Sequence, residues 1–297
     1  MIDLYFLVDS GEKMIIKEFG SILRDKRAWI FILLIIIIPL VDLSMVYKKD
    51  HVKSRRAHKE EILENDRIMK ELEKIEGGHS VSEWIMHPAK ASYLTGSSDS
   101  HIAQMLLIWL MPIFILNIFS DRYISEHKHG ITNAILMRTS KRRYVLNKLF
   151  IAFSFSFIVF FIGLFINFCC AQIIFYGGYN FNGLEVWVDE GRWFSLMYTH
   201  PNIIYMVYIL FTSIIAGICG VICQAIAFLC KNYTMTYIIS FFLWEGLVMH
   251  KGTIINIVQP FTEYGIHSMK EPAIILAVLF MFFSVVSYIY MVKRDEI

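Results

Sequence analysis

The chain has 297 residues, of which 56% are hydrophobic and 24 are phenylalanine, and its mean hydropathy is +0.53. That is too apolar for an ordinary soluble domain and predicts an all-α polytopic membrane protein. The formal net charge of +2 points to no nucleic-acid face, because charge in such a chain is sorted by side of the membrane.

Residues 1–8 carry Asp3 and no basic n-region, so neither a signal peptide nor a span is expected there. Over 12–27, Met14, Ile15, Phe19, Ile22 and Leu23 recur at helical spacing among Lys13, Lys17, Glu18, Arg24, Lys26 and Arg27. This predicts an interfacial helix on the inner leaflet. Residues 28–47 form the first predicted span, with Trp29 and Tyr47 as interfacial anchors and Pro39 as a kink. Asp42 near its outer end reads either as a side chain reaching headgroups or as a functional intramembrane acid.

Residues 48–100 form a polar extracellular insertion between the first two spans. Within it, 54–75 reads as a helix with Ile62, Met69 and Leu72 on one stripe, stopped by Gly77 and Gly78. At 1.5 Å per residue it would reach roughly 30 Å. His51, His58, His79, His87 and His101 lack ligand spacing, so solvated histidines are expected and no metal. The second span, 102–119, returns the chain to a charged connector over 120–148.

In that connector Ile124, Ile131, Ala134 and Ile135 share one helical face, with Glu126, Lys128, Asn133 and Arg138 off it, which predicts a short amphipathic helix. The basic cluster Arg138, Lys141, Arg142, Arg143 and Lys148 before the next apolar run marks the cytoplasmic side. The third span is 150–176, long enough to tilt or protrude. An acidic outer loop follows, with Glu185, Asp189 and Glu190.

The fourth span, 203–230, places Ala216 and Gly220 four apart, a spacing that lets helices approach closely. Gln224 within it either faces a pore or hydrogen-bonds a neighbouring helix. Lys231 and Asn232 form a tight turn into the fifth span, 233–250, whose outer third holds Glu245. That acid either faces water or a partner, or pairs with Lys251. Residues 253–270 are too short to span twice and break at Gln259–Pro260, and 272–292 is the sixth span. Lys293 and Arg294 return the chain to the cytoplasm, so both termini are expected there. Cys169, Cys170, Cys219, Cys223 and Cys230 all lie in apolar runs, where small buried hydrophobes and no disulfide are expected.

The order Glu126, Gly130, Leu136, Arg138, Ser140, Arg142, Tyr144 and Lys148 ahead of a span resembles the first cytoplasmic loop of type 2 ABC exporter permeases. Ile131 stands where Thr is usual and Thr139 where Pro is common. The resemblance implies that 126–137 is a coupling helix docking on a separate cytoplasmic ABC ATPase, with Glu126, Gly130, Ile131, Ile135, Arg138 and Arg142 as coupling residues. It also implies that 12–27 is a connecting helix touching the same ATPase. Over 253–270, Pro260, Phe261 and Tyr264 resemble the re-entrant outer segment of these permeases. Such backbone is tolerated where protein buries it or water reaches it; with Glu245 and Gln224 these residues are the candidate pore or gate.

No G-x-x-x-x-G-K-[ST], H-E-x-x-H or G-x-S-x-G occurs, so no catalytic residue and no cofactor are assigned to this chain. ATP and Mg would reside on the partner ATPase. The expected assembly pairs two permeases, identical or similar, in a bacterial cell (inner) membrane. The expected cargo is amphipathic, with a toxin or antimicrobial peptide preferred. The alternative is an ATP-independent membrane protein, a secondary transporter or a sensor or scaffold.

Overall fold

The computed structural model describes residues 15–48, 87–92, 101–137, 139–176, 178, 196, 199–250, 254–258 and 267–293. Among these the regular structure is helical, without strands. Four helices are long and apolar enough to cross a membrane. The outer helix expected over 54–75, the segment 1–11, and Pro260, Phe261 and Tyr264 lie outside the described residues.

The first helix, α1 (15–22), stops short of the expected 12–27. The cause is Asp25, which is extended (φ −79°, ψ 117°) and caps α2 (Lys26–Val46) by accepting the Arg27 N–H at 2.9 Å. An N-cap residue must leave helical geometry to do this, so Lys26 and Arg27 belong to the spanning helix. Trp29 reaches back across the junction and donates to the Leu23 carbonyl at 2.7 Å. Asp42 is buried in α2 instead of reaching outward.

The described part of the insertion between the first two predicted spans, 87–92, is seated inside the bundle. A short helix, α3 (Pro88–Ala91), buries Ala89 and Ala91. Two buried side chains from different helices grip the next carbonyl, since Tyr205 Oη at 2.6 Å and Asn167 Nδ2 at 3.1 Å both donate to Ser92 O.

The second predicted span is interrupted. It consists of α4 (His101–Trp109), α5 (Met111–Ile115) and a π turn (Leu116–Ser120), with Leu110 non-helical between the first two. Pro112 explains the break, because it has no N–H to give the carbonyl four residues back. That carbonyl, Ile108 O, instead accepts from Trp244 Nε1 at 2.7 Å. The π turn begins where Asn117 Nδ2 donates to Ile113 O at 2.8 Å, so the side chain occupies the carbonyl an α-helix would use.

The connector folds as α6 (Asp121–Lys128) and α7 (Ile131–Leu136), not as one helix over 126–137. Gly130 separates them at φ +72°, a left-handed conformation that favours glycine. No atom lies within 4 Å of where its Cβ would be, so the bend, and no close approach, is what requires glycine. The helix α8 (Lys141–Ile174) starts nine residues before the expected 150, so Lys141 to Lys148 form its first turns.

A left-handed Lys231 (φ 54°) makes the expected tight turn between α9 (Pro201–Cys230) and α10 (Tyr233–Met249). The run Ile254–Val258 is a short helix, α11, packed against α9 and against α12 (His267–Lys293). The most extensive helix pair is α8 with α9. In the most apolar windows 61% of α9 is buried and 11% of α12, so α9 is the centre of the bundle and α12 its rim.

The α8–α9 contact depends on small residues. A Cβ on Gly220 would lie 2.6 Å from both Ala152 O and Ser156 Oγ, whereas none on Gly246 would meet anything within 4 Å. Gly220→Ala is therefore expected to cost about 1–3 kcal/mol, as overpacking does, and Gly246→Ala far less. Thermal unfolding of the two variants in detergent checks this; equal midpoints would contradict the packing account.

Candidate functional site

Two polar clusters flank the end of the bundle that carries the connector, and α6 carries residues of both. The first centres on Lys148, only 5% exposed on α8. Its Nζ donates to Glu126 Oε2 at 2.9 Å and to Glu18 Oε1 of α1. Arg122, one turn before Glu126, donates to Glu126 Oε1 at 2.9 Å. One lysine thus ties α1 and the connector to α8, one of the helices long and apolar enough to span. A buried ammonium is tolerated only when so paired.

Burial by itself would push the Glu126 carboxyl up. The Lys148 charge and the hydrogen bonds from Arg122 and Lys148 outweigh it and hold the group below its ordinary 4.5. Apolar contacts reinforce the same joint. Phe19 of α1 packs on Phe155 of α8 with centroids 5.4 Å apart. Tyr123 is fully buried, edge-on to Phe228 of α9 at 4.6 Å, and its hydroxyl donates to Met291 Sδ of α12 at 3.9 Å.

The second cluster lies where the π turn, α9 and α10 meet. Tyr237 Oη donates to Asp121 Oδ2 at 3.1 Å, and Ser120 Oγ to Gln224 Oε1 at 3.5 Å. Burial pushes the Asp121 carboxyl up, opposed by the Tyr237 hydrogen bond and the Arg27 charge. Gln224 is 1% exposed, so it does not line an open path in this conformation.

The sequence-derived site residues separate into three groups. Glu126, placed off the apolar face by periodicity, is buried in the Lys148 cluster, whereas Ile131, placed on it, is 48% exposed. Ile135 is half-buried against the Tyr123 cluster. Gly130 and Arg142 are exposed, and Arg138 lies outside the described residues. Glu245 is buried on α10, whereas Gln224 is on α9, and Glu245 Oε1 has no hydrogen-bond partner among the described residues. Beyond Gly130 the connector presents Ile131 and Met137, the latter 87% exposed.

Sequence reasoning missed the pairing of Glu18 with Lys148 and that of Asp121 with Tyr237. Only the Arg122–Glu126 spacing, four apart on a helix, was readable in advance. The two other pairs span 130 and 116 positions.

A curated protein, the uncharacterized protein YybM of Bacillus subtilis (strain 168), is 29% identical to this chain over 213 residues, covering 71% of the chain and 84% of the relative. No family model matches the chain, and no solved structure matches it.

Removing Lys148 takes the cation from Glu18 and leaves Glu126 with Arg122 alone. Lys148→Met should cost about 3–5 kcal/mol, as breaking a buried pair does. The depressed Glu126 pKa sets a pH signature. Its stabilising contribution is complete above 4.5 and is lost as the pH falls through the lower folded value. Glu126→Gln should abolish that part of the acid slope in a pH series of unfolding midpoints. An unchanged slope would mean that the pair contributes nothing.

Proposed function

We infer that the chain is the permease subunit of an ATP-driven type 2 ABC exporter. The observation that carries this reading is the shape of the connector. Its first half, α6, is clamped to the bundle by Lys148, Phe228 and Tyr237. Its second half, across the Gly130 bend, presents Ile131 and Met137 to solvent. A rigid lever with an apolar tip suits transmission of force from a separate protein. The motif resemblance over 126–148 supplies the identity of that protein, a cytoplasmic ABC ATPase carrying ATP and Mg.

In this reading six spans are formed by α2, the α4–α5–π stack, α8, α9, α10 and α12, with both termini cytoplasmic. Exposed Lys17, Arg24, Lys26 and Arg27 near the amino terminus favour that side by the positive-inside tendency. Two such subunits in a bacterial cell membrane enclose the path, and closure of the ATPases drives the two connectors together. Glu126 acts in coupling as part of the clamp, with Ile131 and Met137 as the docking surface. The exposed apolar faces of α12, such as Ile274, Val278, Met281, Phe282, Val285 and Ile289, face lipid or the second subunit. An amphipathic cargo, with a peptide preferred, fits the apolar spans and the long outer insertion.

Copurification tests the reading. The detergent-solubilised chain from its native host should bring down a soluble Walker-motif ATPase. The double variant Ile131→Glu, Met137→Glu should lose it while inserting and eluting normally, because both side chains are exposed. If no ATPase accompanies either form, the exporter reading fails and an ATP-independent transporter becomes the better account.

A further inference from the structure

Serine and threonine inside apolar helices ordinarily satisfy their hydroxyls on the carbonyl of the preceding turn. This chain does so repeatedly, for Ser213 Oγ donates to Ile209 O at 2.7 Å, Thr212 Oγ1 to Tyr208 O at 2.9 Å and Ser287 Oγ to Ser284 O at 3.1 Å. Thr236 and Ser240 on α10 do not. They are 0% and 2% exposed, and neither hydroxyl has a partner among the described residues.

Their position is fixed by two contacts of α10, one with the second predicted span and one with α6. Trp244 Nε1 donates to Ile108 O, and Tyr237 Oη donates to Asp121 Oδ2. Thr236, Ser240 and Trp244 recur every four residues, which puts them on one edge of α10. α10 packs beside α4 and α5, and α9 packs on α10, on α5 and on the π turn. Across the same junction Gln224 of α9 reaches Ser120, and its Nε2 has no partner among the described residues, nor has Asp121 Oδ1. Asp121 as a whole is only half-buried, so the junction meets the surface of the bundle at that residue.

Four polar groups around one junction, a carboxylate oxygen, an amide nitrogen and two hydroxyls, are each costly to bury dry. They offer both donors and acceptors, which suits water better than an ion of either sign. The intervening π turn widens the second span here, and π turns concentrate at functional sites. We propose that Asp121, Gln224, Thr236 and Ser240, whose unpartnered polar atoms are closed to solvent in this conformation, line an aqueous inlet that opens between the π turn, α9 and α10 and reaches as far as Ser240. The inlet provides a polar way into an otherwise apolar bundle, and it does not depend on the exporter reading.

Thiol reactivity tests this, because the thiolate that reacts forms only where water reaches. In a background with the five native cysteines replaced by alanine, Ser240→Cys, Thr236→Cys and Ser213→Cys are compared. A charged, water-soluble methanethiosulfonate is applied to membranes opened so that both faces meet it. Monodisperse elution establishes folding for each variant. The inlet predicts that Ser240→Cys and Thr236→Cys react on the order of tenfold or more faster than Ser213→Cys, whose parent hydroxyl is satisfied within its helix. Rates equal to that of Ser213→Cys would overturn it, and so would reaction at Thr236→Cys alone, since the inlet would then stop short of Ser240.

Discussion

A lysine buried near the start of α8, the longest helix among the described residues, is the constraint on which the rest of the arrangement depends. Lys148 cannot be left charged in an apolar bundle without partners, and the two carboxylates that serve it come from elements lying outside the spans. Satisfying one charge therefore fixes α1 through Glu18 and the connector through Glu126. Once α6 is fixed, the bend at Gly130 determines where α7 projects. The exposed tip that any partner would meet is thus set by an ion pair in the core.

The same logic operates elsewhere. Pro112 frees a carbonyl that Trp244 takes, and the helix break it causes becomes a joint between α5 and α10. Asn167 and Tyr205 hold the Ser92 carbonyl and so pin residues 87–92 of the insertion between the first two predicted spans. In each case a backbone group that an ideal helix would satisfy is satisfied by a side chain from another helix. Interhelical contact is thereby specified by polar atoms in a bundle whose apolar surfaces are nearly interchangeable. Where no side chain fills that role, as around Thr236 and Ser240, water is the natural substitute.

The apolar runs were legible because hydropathy over about 20 residues is a strong local signal. Four of them appear as helices long and apolar enough to cross a membrane, and a fifth, α10, as a shorter apolar helix. The close approach expected from Ala216 and Gly220 is also present. The connector was less legible. Periodicity assigned Ile131 and Ile124 to one buried face, but Gly130 breaks the phase between them, so Ile124 is buried and Ile131 exposed. Glu126 read as a surface acid because its decisive partner lies 22 residues on, in what local pattern presented as a basic loop. The early start of α8 at Lys141 brings Lys148 to it, and basic residues at a helix start give no local warning of that.

The measurement that bears most directly on this account is a double-mutant cycle on Lys148→Met and Glu126→Gln, read by unfolding in detergent. If the buried pair organises the end of the bundle that carries the connector, the two changes together should cost far less than the sum of each alone, with a coupling of about 1–3 kcal/mol. Additivity within about 0.5 kcal/mol, the behaviour of independent sites, would show that Lys148 and Glu126 do not act on each other, and the clamp would have to be abandoned.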